Sequence, residues 1–558
     1  MKPNTVRNLL LVLGGVIVAG GAVAVAAWRN QAGGTDVVPA ESTFFSTAAV
    51  EETSTYNTDS DGDLWPVAWS DDDYLYGANG DGKGFDLGAQ WADIVVNRIA
   101  GDPAARDVTG TRLASGDQVG QVWSDPAKYN RKPTGLISVG GVLYLAVQDL
   151  RSEQGNVTFN DVPAATIVKS TDKGKTWTWD KTKPMFDQYL FTTIMFLDYG
   201  KDGANNTFDT YVYAYGLDNN WRDSFSDTVP DPTKLFLARV PKDGIQDRQR
   251  WEFYAGDLAG QAKWTADIKA RQPVLQDDRR VYPKTLAGAA PNNMTVISQG
   301  SIVYNKPLNR YIYTSWTEYT FEFYEAPAPW GPWRRFLSKD FGTYPWFQSV
   351  HGGYGTVIPS KFISADGRDM WFNSNTFVGG IKNYSLSFRK LHVTPYVATM
   401  PANAPGADNL ALPDHGQDVT PISRARFRFG RDASLNNGDL QETVDSKSGE
   451  AKTEDFWGYT WSRAYNMNKV VYTTGAIDPN DGGWFDDLRV QVRQNFRWVD
   501  VPSVTVTPPY PHNAQAGANT SYTFHFADTW GDGVRIIGTP GGPSKFTSFA
   551  ELAVYYSH

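Results

Sequence analysis

The sequence predicts an all-β protein, a ring of short-stranded blades followed by a β-sandwich, and three observations carry that reading. Short apolar alternations separated by turn clusters recur from Gly141 to Ala146, Thr192 to Leu197, Tyr211 to Tyr215, Leu235 to Val240 and Tyr311 to Trp316, the two-residue period of half-buried strands. Helical periodicity is almost absent, with one helical turn expected around Leu258 to Ile268. Aromatic residues make up 14% of the chain and glycines number 52, a balance that favours strands and tight turns over helices. At 558 residues the chain exceeds what one hydrophobic core organises, so several domains are expected.

At the N-terminus Lys2 and Arg7 precede an uncharged apolar stretch from Leu9 to Trp28. A positive region ahead of an apolar one marks export, and a stretch of about 20 residues is also long enough to span a bilayer. Ala22, Ala24 and Ala26 supply small-residue cleavage positions. Residues 1–30 are therefore expected to be a signal peptide or a membrane anchor, with the choice left open, and the protein is expected outside the cytoplasm, extracellular or at the cell surface. Residues 31–58 are small and polar and read as a flexible spacer.

Residues 59–398 form one uninterrupted block of short strands. Such a block must dispose of its sheet edges, and radial repetition of four-stranded blades does so. At roughly 65 to 70 residues per blade the span holds about five. Ser170-Thr171-Asp172-Lys173-Gly174-Lys175-Thr176-Trp177 resembles the Asp box of sialidase-like propeller hairpins, and a degenerate copy runs from Ser364 to Trp371. In such a turn the Asp and Ser bond the backbone and the Trp packs between blades, so Asp172 is read as structural. Residues 399–417, rich in Pro, Gly, Ala and Asn, read as a linker.

Residues 418–558 carry a second pattern. Asn466 to Gly475, Asp481 to Phe485, Leu488 to Val492, Trp498 to Val501, Gly533 to Gly538 and Glu551 to Tyr555 follow in an order that resembles the discoidin (coagulation factor 5/8 type C) jelly roll. The resemblance implies a carbohydrate-binding domain with its ligand in the loops at one end. Val470, Val490, Val492, Val534 and Ile536 alternate with polar residues and are assigned to the core. Trp457, Trp461 and Trp484 are candidates for stacking on sugar faces. The chain as a whole is thus expected to be a five-bladed β-propeller followed by a discoidin-like β-sandwich.

Charge and composition exclude several function classes. The formal net charge is -9 with no basic block, so a nucleic acid partner has nothing to grip. Without cysteine there are no disulfides, thiolate nucleophiles or thiolate metal sites. The six histidines are scattered, and no zinc, EF-hand or P-loop spacing occurs. No cofactor is expected, and a structural calcium has no support. The expected partner is a polysaccharide or glycan, with membrane anchoring through the N-terminal segment if that segment is retained.

The chemistry is sought in the first ordered segment. Asp63, Trp65, Val67 and Trp69 share one face if the segment is a continuous strand, giving a carboxylate and two indoles toward a ligand. After a turn at Asp71 to Asp73 the chain returns through Gly80-Asp81-Gly82, which brings Asp81 opposite Asp63. Two carboxylates are what glycoside hydrolysis requires, one as acid and one as base or nucleophile; a turn Asp is the competing reading for Asp81. The run from Asp63 to Phe85, together with Lys132 to Leu145, the Asp box, Leu237 to Asp243 and Tyr324 to Trp333, resembles a bacterial family of five-bladed propellers first known only as a domain of unknown function.

Some members of that family hydrolyse D-arabinan, so the resemblance implies an inverting, endo-D-arabinanase-like hydrolase of a furanose-containing polysaccharide. It carries the catalytic role onto Asp63, as base, and Asp81, as acid. Candidate substrate-binding residues are Trp65, Trp69, Arg131, Lys132, Trp316, Glu318 and His351, with Asp161 as a reserve carboxylate and the segment from Arg151 to Val162 expected to reshape the cleft. Two alternatives stand beside it. A sialidase-like exo-glycosidase lacks the Arg-containing opening strand that chemistry needs, and a non-catalytic glycan-binding adhesin would make no use of the acidic pair.

Overall fold

The computed structural model describes residues 36–558 apart from 153–158, 223–228, 259–260, 282–293, 318–319, 341–352, 378–383, 397–407, 413–418, 425–435, 437, 448–451 and 495–496. The apolar stretch from Leu9 to Trp28, and with it the export segment, lies outside the described residues. Among the described residues no helix is long and apolar enough to cross a membrane.

Up to Pro395 the chain forms successive antiparallel sheets. The opening strand, β1 (Phe45–Asn57), is held back for the last of them. The first sheet is β2 (Asp61–Asp63), β3 (Val67–Trp69), β4 (Leu75–Gly84), β5 (Ala92–Ala100) and β6 (Thr109–Ser115), with both β2 and β3 paired to β4. The second is β7 (Tyr129–Val139), β8 (Val142–Arg151) and β9 (Ala165–Ser170). The third is β10 (Thr193–Asp198), β11 (Tyr211–Leu217), β12 (Lys234–Pro241), β13 (Glu252–Leu258), β14 (Gln261–Thr265) and β15 (Pro273–Gln276). A two-residue ladder, β16 (Arg280–Val281) with β17 (Met294–Thr295), leads to the fourth sheet of β18 (Ser301–Asn305), β19 (Arg310–Trp316), β20 (Thr320–Ala326) and β21 (Arg334–Asp340). The fifth is β22 (Asp369–Phe377) and β23 (Tyr384–Pro395), completed by β1. The expected helical turn near Leu258 is instead the β13–β14 hairpin, followed by a 3-10 turn at Ile268–Ala270.

The spacer expectation for residues 31–58 is corrected here. Strand β1 runs antiparallel to β23 from Phe45 opposite Pro395 to Asn57 opposite Ser387. Its composition is small and polar, yet Phe45 and Ala48 enter a core shared with Phe321, Phe323, Phe372 and Leu391. A strand whose pairing partner lies more than 300 residues away shows too little local signal to be told from a linker.

Each pair of neighbouring sheets encloses its own core. Tyr76 and Ile94 pack with Leu143 and Val168 between the first and second. Ile167 packs with Phe196 and Phe253 between the second and third, and Leu197 and Tyr215 with Tyr313 and Tyr324 between the third and fourth. The core reached by β1 joins the fourth and fifth. Trp65, Leu75 and Ile99 then pack with Leu386 and Phe388, which joins the fifth sheet back to the first. Strands β10 and β18 pair in parallel, Leu197 beside Ile302, which joins the third sheet to the fourth. Pro66, Thr134, Met195, Gly300 and Val357, from successive sheets and the segments between them, line a cavity of about 20 Å³, room for about one water and none for a sugar.

The Asp-box turn shows why that motif is structural. Asp172 Oδ1 accepts from the Thr176 N–H at 2.9 Å and Ser170 Oγ accepts from the Gly174 N–H at 2.8 Å. Trp177 is buried, its indole bonded to Gly174 O at 3.1 Å. Ser364 and Asp366 repeat the arrangement, with Ser364 Oγ donating to Asp366 Oδ1 at 2.7 Å.

The C-terminal part is a β-sandwich of β24 (Val419–Ser423), β25 (Val444–Asp445), β26 (Asp455–Thr474), β27 (Arg489–Gln494), β28 (Arg497–Asp500), β29 (Thr505–Thr507), β30 (Ser521–Gly538) and β31 (Ser548–Tyr556). The long strands β26 and β30 pair along most of their length, with register shifts between Thr460 and Tyr465 and between Met467 and Lys469. Such irregularities let one strand turn a corner and serve both layers. Two expectations are corrected. Trp457, Trp461 and Trp484 are all core residues, the first two fully buried and Trp484 7% exposed, so none presents a ring face to a sugar; their indole N–H groups bond Thr547 Oγ1, Leu410 O and Asp486 Oδ1. Within the expected linker, Leu410 and Ala411 are buried in the same core and the Leu410 N–H bonds Val554 O. Arg493 Nη2 donates to Ser46 O at 2.9 Å and Trp498 Nε1 to Glu41 Oε2 at 3.0 Å, which ties the sandwich to β1 and to the segment leading into it.

Candidate active site

The site begins where β2 breaks off. Leu64 and Trp65 adopt φ of 72° and 47°, the left-handed region that ordinary side chains avoid. The expected continuous strand from Asp63 to Trp69 therefore does not exist, and its shared face is lost. Trp65 turns into the core between the fifth and first sheets, fully buried, with its indole N–H on Gly62 O at 2.8 Å; it is not a stacking surface. Trp69 pairs with Leu75, whereas Asp63 pairs with Gly80. Five residues along β4 separate those positions, roughly 16 Å at about 3.3 Å per residue. Trp69 thus lies at the far end of the sheet, hydrogen-bonded to Asp73 and flanked by Lys201 and Lys361.

Across from Asp63, β4 is built to let a carboxylate approach. A Cβ on Gly80 would strike Asp63 Oδ1 and lie 3.2 Å from Lys132 Nζ, so only glycine fits there. The next residue, Asp81, has φ of 40°, a third strained position in the two facing segments. Strain of this kind costs about 1–3 kcal/mol per residue and gathers at sites where geometry serves function. The result is a buried trio in which Lys132 Nζ forms an ion pair with Asp81 Oδ1 and stands close enough to Asp63 to act on its charge. The Lys132 side chain is 2% exposed and that of Asp81 15%.

Two phenols fix Asp63. Tyr354 and Tyr384 both donate to Asp63 Oδ2, at 3.0 and 2.7 Å, while Oδ1 is buried without a hydrogen-bond partner among the described residues. Tyr354 packs against Trp316 with the ring planes tilted by 35° and centroids 5.3 Å apart, and meets Trp221 at 6.1 Å. Trp316 is 1% exposed and bonds Gln299 O. It is therefore the packing behind Tyr354 and not an open platform.

Electrostatics follow from burial. Burial pushes the Asp63 carboxyl upward, against the pull of Lys132 and the Tyr354 hydrogen bond. Burial likewise raises Asp81, against Lys132 and aided by the Asp63 charge, to about 6. For Lys132 burial opposes the charge, but Asp81 and Asp63 outweigh it and the ammonium is retained. Burial and the neighbouring Asp63 hold Tyr354 well above the ordinary phenol value, so it stays a donor. Two neighbouring carboxyls, one titrating near 6 and one fixed by two phenols, have the chemistry that an acid–base pair requires.

The remaining sequence candidates divide. Lys132 reaches the centre, as the partner of Asp81. Its neighbour Arg131 points to the other face of β7 and is spent on Asp93, Asp117 and Gly120 O, which removes it as a substrate donor. Asp161 accepts from Tyr129 Oη at 2.9 Å and pairs with Arg151 at 3.4 Å. Glu318, His351 and the core of the segment after Arg151 lie outside the described residues. Sequence reading missed Tyr354 and Tyr384. The Gly-Tyr loop that drew attention to His351 also holds Tyr354, but no spacing rule links either tyrosine to an Asp about 300 positions earlier. Among the described residues no group of three His, Asp or Glu is placed to hold a metal.

Residues 62–377 match the family model described as a domain of unknown function, DUF4185. The chain belongs to that family. The matched span takes in Asp63, Asp81, Lys132 and Tyr354, and ends before Tyr384 and the sandwich. No curated protein matches the chain. Among solved structures, the chain is similar to a putative hydrolase from Bacteroides ovatus, at 13% identity, over 60% of this chain and 86% of that one, with a TM-score of 0.35. It is also similar to the family 32 carbohydrate-binding module of NanJ from C. perfringens in complex with galactose, at 16% identity, over 25% and 93%, with a TM-score of 0.20. A chitosan-binding module of a chitosanase/glucanase from Paenibacillus matches at 18% identity, over 27% and 99%, with a TM-score of 0.20.

Proposed function

We propose that this protein is an exported glycoside hydrolase of a furanose-containing polysaccharide, with Asp63 and Asp81 as its catalytic pair. The observation that carries the reading is the juxtaposition of two buried carboxyls from β2 and β4 around Lys132, with Asp63 held by two phenols and Asp81 raised to about 6. Asp81, protonated on the acidic side of neutrality, donates its proton to the glycosidic oxygen as the bond to the anomeric carbon breaks. Asp63 takes a proton from the water whose oxygen forms the new bond to that carbon. Tyr354 and Tyr384 occupy Oδ2 and leave Oδ1 for the water. Both carboxyls then return to their starting states through exchange with solvent.

The ring of five sheets is read as a five-bladed β-propeller, the expected block of residues 59–398 being extended at its start by the closing strand β1 (Phe45–Asn57). The sandwich of residues 418–558 is read as a discoidin-like glycan-binding domain, now including Leu410 and Ala411. Lys2, Arg7 and the apolar run from Leu9 to Trp28 support export. An endo-acting, inverting attack on D-arabinan is the specific form of the proposal, resting on the sequence resemblance.

The test is release of reducing ends from arabinans and other furanose and pyranose polymers by wild type, Asp63→Asn and Asp81→Asn, with folding checked by thermal melting. Oligosaccharides from wild type alone support the reading. Equal turnover by both variants refutes the assigned pair. No turnover of any polymer, with glycan binding retained, replaces the enzyme by the adhesin alternative.

A further inference from the structure

On segments joined to those of Lys132 and Tyr354, three carboxamide side chains are buried with much of their hydrogen-bonding capacity unspent. Gln148 on β8 stands directly opposite Lys132 in the β7–β8 ladder, so both side chains leave the sheet on one face, with Cβ atoms about 5 Å apart. Its Oε1 accepts from Thr193 Oγ1 at 2.7 Å, and its Nε2 has no partner among the described residues. Gln299 is anchored by its Nε2 on Pro133 O, the residue after Lys132, at 3.0 Å; its own carbonyl receives the Trp316 indole and its Oε1 is unpartnered. Asn375 on β22 gives its backbone N–H to Tyr354 O at 3.2 Å, and neither atom of its side-chain amide is bonded. None of the three is more than 2% exposed.

An unmet buried polar group costs about 1–3 kcal/mol, and elements of the second, fourth and fifth sheets each bring one to the neighbourhood of Lys132 and Tyr354. The unspent set mixes donors, Gln148 Nε2 and Asn375 Nδ2, with acceptors, Gln299 Oε1 and Asn375 Oδ1, and none carries charge. A hydroxyl group both donates and accepts, so vicinal hydroxyls use such a set fully. An anion cannot use the acceptors, and the cations that would attract it, Lys132 and Arg222, already face Asp81 and Asp63. A cation gains nothing from the donors.

We infer that Gln148, Gln299 and Asn375 read the hydroxyl groups of an uncharged sugar residue held beside Asp63 and Asp81, and that sugars carrying a carboxylate are rejected there. This rests on the hydrolase reading for the reaction but not for the recognition.

The experiment uses the full chain. Binding is followed by calorimetry in the Asp63→Asn background, so that nothing is consumed, with neutral arabinan, galactan and glucan oligosaccharides and acidic oligogalacturonate and sialyllactose as probes. Gln148→Met, Gln299→Met and Asn375→Leu are then added singly, with the C-terminal sandwich contributing the same background throughout. The expected result is binding of a neutral probe, weakened about tenfold by each change, or about 1.4 kcal/mol, with the melting temperature unchanged or raised for Asn375→Leu, whose amide makes no bond, and lowered for Gln148→Met and Gln299→Met, which strand Thr193 Oγ1 and Pro133 O. Affinity unaltered in all three variants overturns the inference, as does tighter binding of an acidic probe or no binding of any neutral one. Lowered melting with unaltered affinity assigns the amides to structural water and overturns it too. Binding without cleavage by the wild-type protein leaves the inference standing and removes the hydrolase reading, whereas cleavage with substitution-insensitive binding and kcat/KM does the reverse.

Discussion

Replacing Lys132 by Met removes one charge from the buried trio while keeping most of the side-chain volume. The ammonium pulls both carboxyls down, and an opposite charge at contact distance lowers a carboxyl by about 1–3 units. Without it Asp81 should rise from about 6 by a similar amount, each unit being about 1.4 kcal/mol. The sign follows from proton binding. In the wild type Asp81 already titrates above its ordinary value of 3.8, so the folded state holds a proton that the unfolded chain has released, and this group's contribution to stability falls as pH rises from 3.8 to about 6. In Lys132→Met that decline continues past 7. The deficit relative to wild type should therefore be modest at pH 5 and grow toward the roughly 3–5 kcal/mol expected for an uncompensated buried charge above pH 8. Urea unfolding at several pH values measures it, and the alkaline limb of the pH–rate profile should move up by about 1–3 units. A pH-independent deficit, or an unmoved limb, refutes the coupling of Lys132 to the carboxyl pair.

Further outcomes follow from the same geometry. Tyr384→Phe and Tyr354→Phe each remove one hydrogen bond to Asp63 Oδ2. Each should cost about 1.5–3 kcal/mol of carboxylate stabilisation, read as an upward shift of the acid limb and a kcat loss of one to two decades with little change in KM. Trp457→Ala should destabilise the sandwich by about 3–5 kcal/mol, measured by melting, with the kinetics on short substrates unchanged. Asp172→Ala unties the Asp-box turn and should lower stability by about 1–3 kcal/mol while leaving kcat at the wild-type value.

The residues by themselves determined the all-β class, the division into a long strand-rich block and a following sandwich, and the two acidic positions worth testing. The class rests on local information, alternation over a few residues and a turn motif whose bonds close within the Ser170 to Trp177 octapeptide, whereas the sandwich and the acidic pair rest also on the order of motifs that carries the family resemblances. Tertiary structure alone decided what each candidate faces. Positive φ at Leu64 and Trp65 turned an expected ligand-facing indole into core, and neighbouring positions on β7 sent Arg131 to Asp93 and Lys132 to Asp81. The same holds for β1, which resembles a spacer until β23 is available to pair with it. It holds again for Tyr354 and Tyr384, which meet Asp63 only when the fifth sheet packs back on the first. Pairings across some 300 residues depend on ring closure, and no local pattern of side chains records that.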